Sequence, residues 1–580
     1  MNAPFLLYEF TDEKGNPDVR VFESPVEILT TYDLHEIKRI FDRVEQALEE
    51  GYYAAGYVSY EAAPAFDDAF SVHSDPQWPL VWFGIFSDCS KKIRDFNEGD
   101  FSVSKWEMTG DFEVYQEGIE KVKQGIERGD TYQVNYTTRL EALFSGDDYS
   151  FYRRLIRNQQ PSYGAYLNMG VRRLLSASPE LFFRVDGKAI RTKPMKGTAK
   201  RGRFYEEDQH QKELLRTSDK ERSENLMIVD LLRNDLGRIA VPGTVRVPKL
   251  FEVETYQTVH QMTSTIEASL PDHYTTYELF HALFPCGSIT GAPKVRTMDY
   301  ISRLEDSPRE VYCGAIGFFT PDKEAVFNVP IRTVMVDQNS KQAVYGTGGG
   351  VTWDSTPKGE FEELHAKASV LTENRPSFQL LETMRLEEGE FPLWSYHIDR
   401  VLKSAQYFQY PITRQELEQQ LHQVTGTYSI GLYKTRLLIA STGEVTIEVE
   451  PIQHPAQNVE CMLAASPVDE GNPFLFHKTT HREVYERHQS PGFTSTLLWN
   501  SNGELTEFTI ANVVVKQNNH YYTPPVTSGL LAGTYRQKLL EDGVVQEKVI
   551  HKDELNQCEE IWMINAVRGW VRVSMKECGI

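Results

Sequence analysis

The chain has 580 residues, too many for a single hydrophobic core, so two or more domains are expected. Its 83 Asp and Glu against 61 Lys and Arg leave a net charge of -22, which argues against a nucleic-acid backbone or an anionic membrane as partner. Small anionic ligands held by a local basic pocket remain. The start, Met1-Asn2-Ala3-Pro4-Phe5, lacks the regions of a signal peptide, no apolar run is long enough to span a bilayer, and six scattered cysteines form no C-x-x-C pair. These features point to a cytoplasmic protein without a disulfide framework or zinc knuckle.

Apolar residues at Tyr115, Ile119, Val122 and Ile126 predict an amphipathic helix to Arg128, closed by Gly129. A strand is expected from Thr131 to Leu140, with Tyr132, Val134 and Tyr136 toward the core and Gln133 and Asn135 toward a site. Next comes a hairpin in which Ser178-Pro179-Glu180-Leu181-Phe182-Phe183-Arg184-Val185 and Lys188 to Thr192 flank Asp186-Gly187. Centring the turn on that dipeptide sets Glu180 opposite Lys193 and near Lys196 of Lys193-Pro194-Met195-Lys196-Gly197-Thr198. An acid and an amine at one end of a ladder suit general-acid and nucleophilic chemistry, and the Gly-Thr turn adds backbone amides for an anion.

A helix from about 219 to 236 carries Glu221 and Glu224 at i, i+3, and another from about 357 to 371 carries Glu360 and Glu363. Two such pairs suffice for one hard cation such as Mg2+. Between them, Phe284-Pro285-Cys286-Gly287-Ser288-Ile289-Thr290-Gly291-Ala292-Pro293-Lys294 and Gly346-Thr347-Gly348-Gly349-Gly350 fit no nucleotide motif. Their glycines still let backbone N–H groups approach a carboxylate. The polar stretch Thr372-Glu373-Asn374-Arg375-Pro376 marks a boundary between domains 1–372, of which 1–114 is less diagnostic, and 376–580.

Beyond the boundary, His477-Lys478-Thr479-Thr480-His481 has the histidine spacing of a zinc helix. Lys478 stands where the catalytic glutamate would be and no third ligand is evident, so the lysine fits a carbonyl-trapping role better. Trp499 to Asn512 and Ser528 to Arg536 follow, the second with a Gly533-Thr534 turn whose free N–H groups suit a phosphate.

The blocks S-P-E-L-F, K-P-M-K-G-T, E-N-L-M-I-V-D-L-L-R-N-D-L-G-R, F-P-C-G-S-I-T-G-A-P-K, Y-C-G-A-I-G, N-V-P-I-R-T and G-T-G-G-G-V, in this order, closely resemble the chorismate-binding enzymes from about Tyr115 to Leu371. Gly56-Tyr57-Val58-Ser59-Tyr60-Glu61-Ala62-Ala63 looks like the family's N-terminal subdomain. The resemblance implies a β-sandwich flanked by helices that binds chorismate. Lys196 matches the lysine with which the chorismate-aminating members attack the ring, where anthranilate synthases usually have alanine. Gln133 matches the position at which isochorismate and salicylate synthases carry a lysine base for water, and this implies ammonia as the final nucleophile. By the same matching, Mg2+ is held by Glu224 and Glu363 with Glu221 and Glu360 in support, and Tyr312 and Arg332 clamp the enolpyruvyl carboxylate. Thr198, Ser288, Gly348, Gly349 and Gly350 line the substrate, Glu180 protonates the departing hydroxyl, and His260 lies near that hydroxyl. No cysteine sits in a glutaminase-like G-x-C-x-G turn, so ammonia is expected from a separate glutamine amidotransferase subunit.

The C-terminal motifs resemble the class IV pyridoxal-phosphate enzymes, which include transaminases and aminodeoxychorismate lyase. The resemblance implies a two-subdomain fold, so the whole chain is expected to be α+β. It makes Lys478 the cofactor lysine, pairs Glu507 with the pyridinium nitrogen, assigns the phosphate to Arg400, Gly533 and Thr534, and gives Thr383 an assisting role. Such domains pair, which implies a homodimer through the C-terminal domain. The combined expectation is amination of chorismate and then elimination of pyruvate to give 4-aminobenzoate, a folate precursor. Two readings compete: an anthranilate-type synthase fused to a transaminase, and a synthase with a non-catalytic dimerisation domain. Lys196 speaks against the first, and Lys478, Glu507 and Arg400 together against the second.

Overall fold

The computed structural model describes residues 4–12, 15–93, 98–373, 375–452 and 458–576. By internal contacts the chain divides into one unit of Met1–Lys200 with Lys212–Arg375 and a second of Arg201–Gln211 with Pro376–Ile580. Residues 201–211 therefore group with the second unit although they fall within the span 1–372.

In the first unit, runs rich in aromatic and β-branched residues form two ten-stranded sheets. They pack face to face through rings: Tyr8 and Phe10 of one sheet meet Phe318 of the other at centroid distances of 5.4 and 5.9 Å. The elements that build the site are β1 (Gln133–Gly146), β2 (Leu181–Asp186), β3 (Ala189–Lys193), β4 (Met195–Lys200), α1 (Asp219–Gly237), β5 (Val259–Ser269), β6 (Gln342–Val351) and α2 (Pro357–Ala368). Capping fixes where both helices start. The hydroxyls of Ser218 and Thr356 accept from the backbone N–H of Glu221 and Gly359, so the carboxylate pairs fall in or near the first turns.

Three details differ from the sequence expectation. The β2–β3 turn is Gly187-Lys188, not Asp186-Gly187: Asp186 pairs with Ala189, and Gly187 takes the first central position at φ +60°. With an irregularity between Leu181 and Arg184, Lys193 then faces Leu181 and not Glu180. Tyr132 lies just outside β1 and is 66% exposed, so it is no core residue. The Gly346–Gly350 stretch lies within strand β6, paired with β1 from Gln342 opposite Leu143 to Val351 opposite Val134.

The second unit has a three-stranded antiparallel sheet and an eight-stranded mixed sheet. Here β7 (Leu380–Glu387), α3 (Trp394–Phe408), β8 (Leu505–Phe508) and α4 (Thr534–Glu541) carry the residues of interest. Each sheet has its own apolar cluster, around Leu380, Met384 and Leu437 in one and Leu497, Phe508 and Val513 in the other. No helix among the described residues is long and apolar enough to cross a membrane.

A buried ion network ties the first unit together. Arg309 donates to both carboxylate oxygens of Glu305, to Ile289 O at 2.8 Å and to Asn135 O at 2.6 Å, while Arg139 adds a second cation 3.5 Å from Glu305. Burial pushes the Glu305 carboxyl up, but Arg309 and Arg139 outweigh it and hold it below the ordinary range. Replacing Glu305→Ala leaves two buried guanidiniums without their counter-charge. It is expected to cost about 3–5 kcal/mol, read as an earlier urea midpoint for the first unit of the full chain.

Candidate active sites

In the first unit a cavity of about 210 Å³ is lined by Gln133 and Asn135 of β1, Glu180, Lys196 and Thr198 of β4, Glu221 and Glu224 of α1, Ser288, Tyr312, Arg332, Gly348 and Gly350 of β6, and Glu360, Glu363 and Lys367 of α2. The carbonyl of Lys196 accepts from Asn225 Nδ2 at 3.2 Å, and Asn225 is itself held by Ser264 at 2.6 Å, so α1 and β5 jointly fix the lysine's backbone. Burial pushes the Lys196 amine below its ordinary value; Glu180 opposes that shift and Lys367 adds to it. Burial likewise raises Glu180 to about 7, although Ser288 and Lys196 pull it down. An acid that holds a proton near neutrality thus shares a cavity with an amine inclined to lose one. Both polar atoms of Gln133 and one carboxylate oxygen of Glu180 are buried without a hydrogen-bond partner among the described residues, and both side chains line the cavity.

The glycines of β6 vacate volume. A Cβ on Gly346 would meet the Tyr312 ring at 2.4 Å, one on Gly348 the Thr137 methyl at 2.4 Å, and one on Gly350 Gln133 Nε2 at 1.9 Å and Lys196 Nζ at 3.0 Å. Gly349 faces α2, where a Cβ would lie 2.6 Å from Glu360. Arg332 sits in the left-handed region, φ +54°, and its guanidinium donates to Lys367 O. A strained backbone at this position marks a residue whose direction matters.

The four carboxylates line the same cavity, and burial raises Glu221, Glu224 and Glu360, with like charges adding to the rise. Burial works against Glu363 too, but Lys367, 2.5 Å away, holds it below the ordinary range. This mutual repulsion among hard oxygen donors is what a divalent cation relieves, so the donor set fits Mg2+. Among the described residues, no three such side chains converge at ligating distance. Lys367, which also donates to Gly348 O at 2.7 Å, was not singled out in the sequence; its only signal was the i, i+4 spacing from Glu363. His260 is a correction. It is fully buried beside Thr255, 3.2 Å away, and the alternation along β5 gives the cavity Gln261, which bonds Thr198 at 3.0 Å.

In the second unit a cavity of about 320 Å³ is lined by Thr383, Arg400, Lys478, Glu507, Gly533 and Thr534, all six singled out in the sequence, together with Lys434, Arg482, Tyr485 and Arg568, which were not. Burial, helped by Arg400 and Arg482, lowers Lys478 to about 8. Glu507 accepts from Tyr485 Oη at 2.8 Å, Asn512 Nδ2 at 3.1 Å and Leu531 N at 3.1 Å, yet burial still holds it up at about 7. Such a carboxyl is poised to share a proton with a ring nitrogen. Gly533 caps α4, and a Cβ there would fall 1.8 Å from Asn512 Oδ1, which leaves room at that helix start for a small anion. Arg400 is aimed by a bidentate bond to Glu382 at 2.8 and 2.6 Å. Burial raises the Glu382 carboxyl, but Arg400 and His397 outweigh it and hold it at about 2. A buried aldehyde-reactive amine, an acid for a ring nitrogen and a phosphate cradle fit pyridoxal phosphate.

Comparison with known proteins places each part of the chain in a family. The model for chorismate binding enzymes matches residues 7–373, and that for class IV aminotransferases matches residues 379–575. Component 1 of aminodeoxychorismate synthase from Salmonella typhimurium is 41% identical over 267 residues, 46% of this chain and 58% of that protein. Anthranilate synthase component 1 of Saccharolobus solfataricus is 32% identical over 61% of this chain and 87% of its own length. The structure of anthranilate synthase component I from Streptococcus pneumoniae superposes with a TM-score of 0.52 at 23% identity, covering 64% of this chain and 93% of that one, and so shares the fold. The matches span 58–64% of the length of the first three curated relatives.

With its amine lowered to about 8, Lys478 is expected to be the lysine that pyridoxal phosphate and borohydride label first. Labelling should rise through about pH 8, well below an ordinary lysine, as read by peptide mapping.

Proposed function

The chain belongs to the family of chorismate binding enzymes, and from that membership we propose that its first unit converts chorismate and ammonia to 4-amino-4-deoxychorismate and water. The second unit, a class IV aminotransferase domain, then releases pyruvate from that product to leave 4-aminobenzoate, a folate precursor. The observation that carries the reading is Lys196 and Glu180 lining one cavity, each displaced by burial toward its neutral form.

Glu180 gives its proton to the departing 4-hydroxyl, which leaves as water, while the neutral Lys196 amine bonds to C2 of the ring. Ammonia adds at C4 and the C2–Nζ bond breaks, returning the lysine. Gln133 offers hydrogen bonds but no base, which favours ammonia over water at C4. Arg332 and Tyr312 hold the enolpyruvyl carboxylate, and Thr198, Ser288, Gly348 and Gly350 close around the ring, whereas Gly349, expected with them, turns toward α2. Mg2+ held by Glu224 and Glu363, with Glu221 and Glu360 in support, supplies positive charge for a substrate carboxylate. The ammonia comes from a separate glutamine amidotransferase subunit. The cytoplasm as location belongs to the same proposal.

In the second site, pyridoxal phosphate supplies an electron sink when bound. Lys478 holds it and moves protons, Glu507 keeps the ring nitrogen protonated, and Arg400, Gly533 and Thr534 take the phosphate, with Thr383 at the wall. Pairing of C-terminal domains into a homodimer belongs to the same proposal.

Two variants test this. Lys196→Ala, supplied with chorismate, Mg2+ and ammonia, is expected to lose roughly two orders of magnitude or more in aminodeoxychorismate formation while staying folded. Unchanged turnover would remove the covalent lysine. Lys478→Ala is expected to accumulate aminodeoxychorismate and release no 4-aminobenzoate until an independent lyase is added. Normal release, or amino transfer to a 2-oxo acid by the wild type, would overturn the lyase assignment.

A further inference from the structure

The segment around Lys478 has little regular structure to hold it. The short 3-10 turn Pro473–Leu475 ends before it, and after it β7 holds one edge: Leu380 bridges Thr479, Leu381 N donates to Lys478 O and Thr480 N to Gln379 O, both at 2.9 Å. Its other side is set by neighbours of Phe476 and His477. His477 is buried, its Nδ1 lies 2.9 Å from Ser404 Oγ, and its ring lies 4.2 Å from that of Tyr407 and 4.9 Å from that of Phe408. Its Nε2 is buried with no hydrogen-bond partner among the described residues, so aromatic packing and the Ser404 bond fix this ring.

Tyr407 is in turn gripped by residues 206 and 205 positions earlier in the chain. The Arg201 guanidinium lies 4.2 Å from the Tyr407 ring centroid and donates to Tyr407 O at 2.8 Å, while Tyr407 Oη donates to Gly202 O at 2.8 Å. Arg201 is locked by Asp208, with bonds of 2.6 and 3.0 Å between side chains that are almost fully buried. Gly202 N adds a third bond to that carboxylate at 2.9 Å, and a Cβ on Gly202 would lie 2.2 Å from Asp208 N. Phe204 packs on Phe476 at 5.3 Å, and Arg203 lies 5.4 Å from the same ring. These contacts all fall inside the second unit.

We propose that Arg201, Gly202 and Asp208 form a positioning clamp for the second site, acting through Tyr407 and His477 on the backbone at Lys478. Three features support the clamp over mere surface packing. It grips one residue by its ring, its hydroxyl and its backbone carbonyl, it encloses a buried charge pair whose desolvation only tight geometry offsets, and it ends on the residue next to the cofactor lysine. Tyr407 also closes α3, the helix that carries Arg400 and His397, so the same grip reaches the residue assigned to the phosphate. The second site is then not self-contained in residues 376–580. It borrows residues that follow the Lys196 strand directly and precede the Glu221 helix, so one covalent stretch serves both chemistries. The inference rests on Lys478 as the cofactor lysine.

The test uses the full chain and pyridoxal phosphate itself, reading its dissociation constant and the absorbance band of the lysine-bound cofactor. Arg201→Ala is expected to weaken binding roughly tenfold, the scale of one lost charge-assisted hydrogen bond, and to shift the band. Arg201→Lys, which keeps the charge beside Asp208, should recover part of the affinity. Tyr407→Phe, which removes only the bond to Gly202 and keeps the ring, should fold and show a smaller loss of about threefold. Wild-type affinity and band in both Arg201→Ala and Tyr407→Phe would overturn the clamp. Should Arg201→Ala fail to fold, Tyr407→Phe decides alone, and an unchanged dissociation constant overturns the proposal. A wild type that binds pyridoxal phosphate but keeps it after Lys478→Ala with the same band would instead remove the cofactor-lysine assignment.

Discussion

Arg309 is the constraint on which the first site depends. A guanidinium 1% exposed has no water to satisfy it, so the chain must bring acceptors to it, and it brings four from three separate stretches: both carboxylate oxygens of Glu305, the carbonyl of Ile289 and the carbonyl of Asn135. Asn135 lies two residues from Gln133 on β1, and Ile289 follows Ser288; both neighbours line the cavity. Its own backbone N–H is taken by Glu61, which also accepts from Glu310 N. Satisfying one buried cation thus sets the spacing between the strand that offers Gln133 and the turn that offers Ser288 to Glu180. The network contributes through geometry more than through net stability, since buried ion pairs offset their own desolvation only when every bond is made.

A second constraint is volume. The cavity exists because β6 runs beside β1 with hydrogen at the positions where side chains would collide with Tyr312, Thr137, Gln133 and Lys196. The glycines make a thin wall of paired strand, and Lys367 is anchored to it through Gly348 O.

The motif blocks made the residues of both sites legible in the sequence, because each block is a strand end or helix start whose side chains must converge. Lys196, Glu180 and the four glutamates on one cavity, and Lys478, Glu507 and Arg400 on the other, follow from that. What stayed hidden depends on register and on long-range packing. The turn moved by one residue because glycine takes the first central position, and His260 and Gln261 differ only in which side of β5 they face. Lys367 and Arg482 read as ordinary charged residues, since nothing local says which helix face or loop a cavity will meet. The grouping of residues 201–211 with the second unit has no local signal at all; an Arg and an Asp seven positions apart become a buried pair only once Tyr407 is present.

The two sites solve one electrostatic problem in the same way. Each needs a neutral amine beside a carboxyl, and in water that pair would exchange a proton and become an ion pair that can neither attack nor donate. Burial alone pushes both members toward neutrality, but the nearby carboxylate pulls the lysine back up. In each cavity a second cation cancels that pull: Lys367 for Lys196, and Arg400 with Arg482 for Lys478. The cations are themselves held in place, Lys367 by Glu363, Arg400 by Glu382 and Arg482 by the carbonyl of Thr509; Lys367 and Arg482 also pull the neighbouring acid down, but burial outweighs them and leaves Glu180 and Glu507 each at about 7. A lysine with an acid and a tethered cation is therefore the repeated unit of this chain, built once on strands and helices and once on a loop that other segments must hold still.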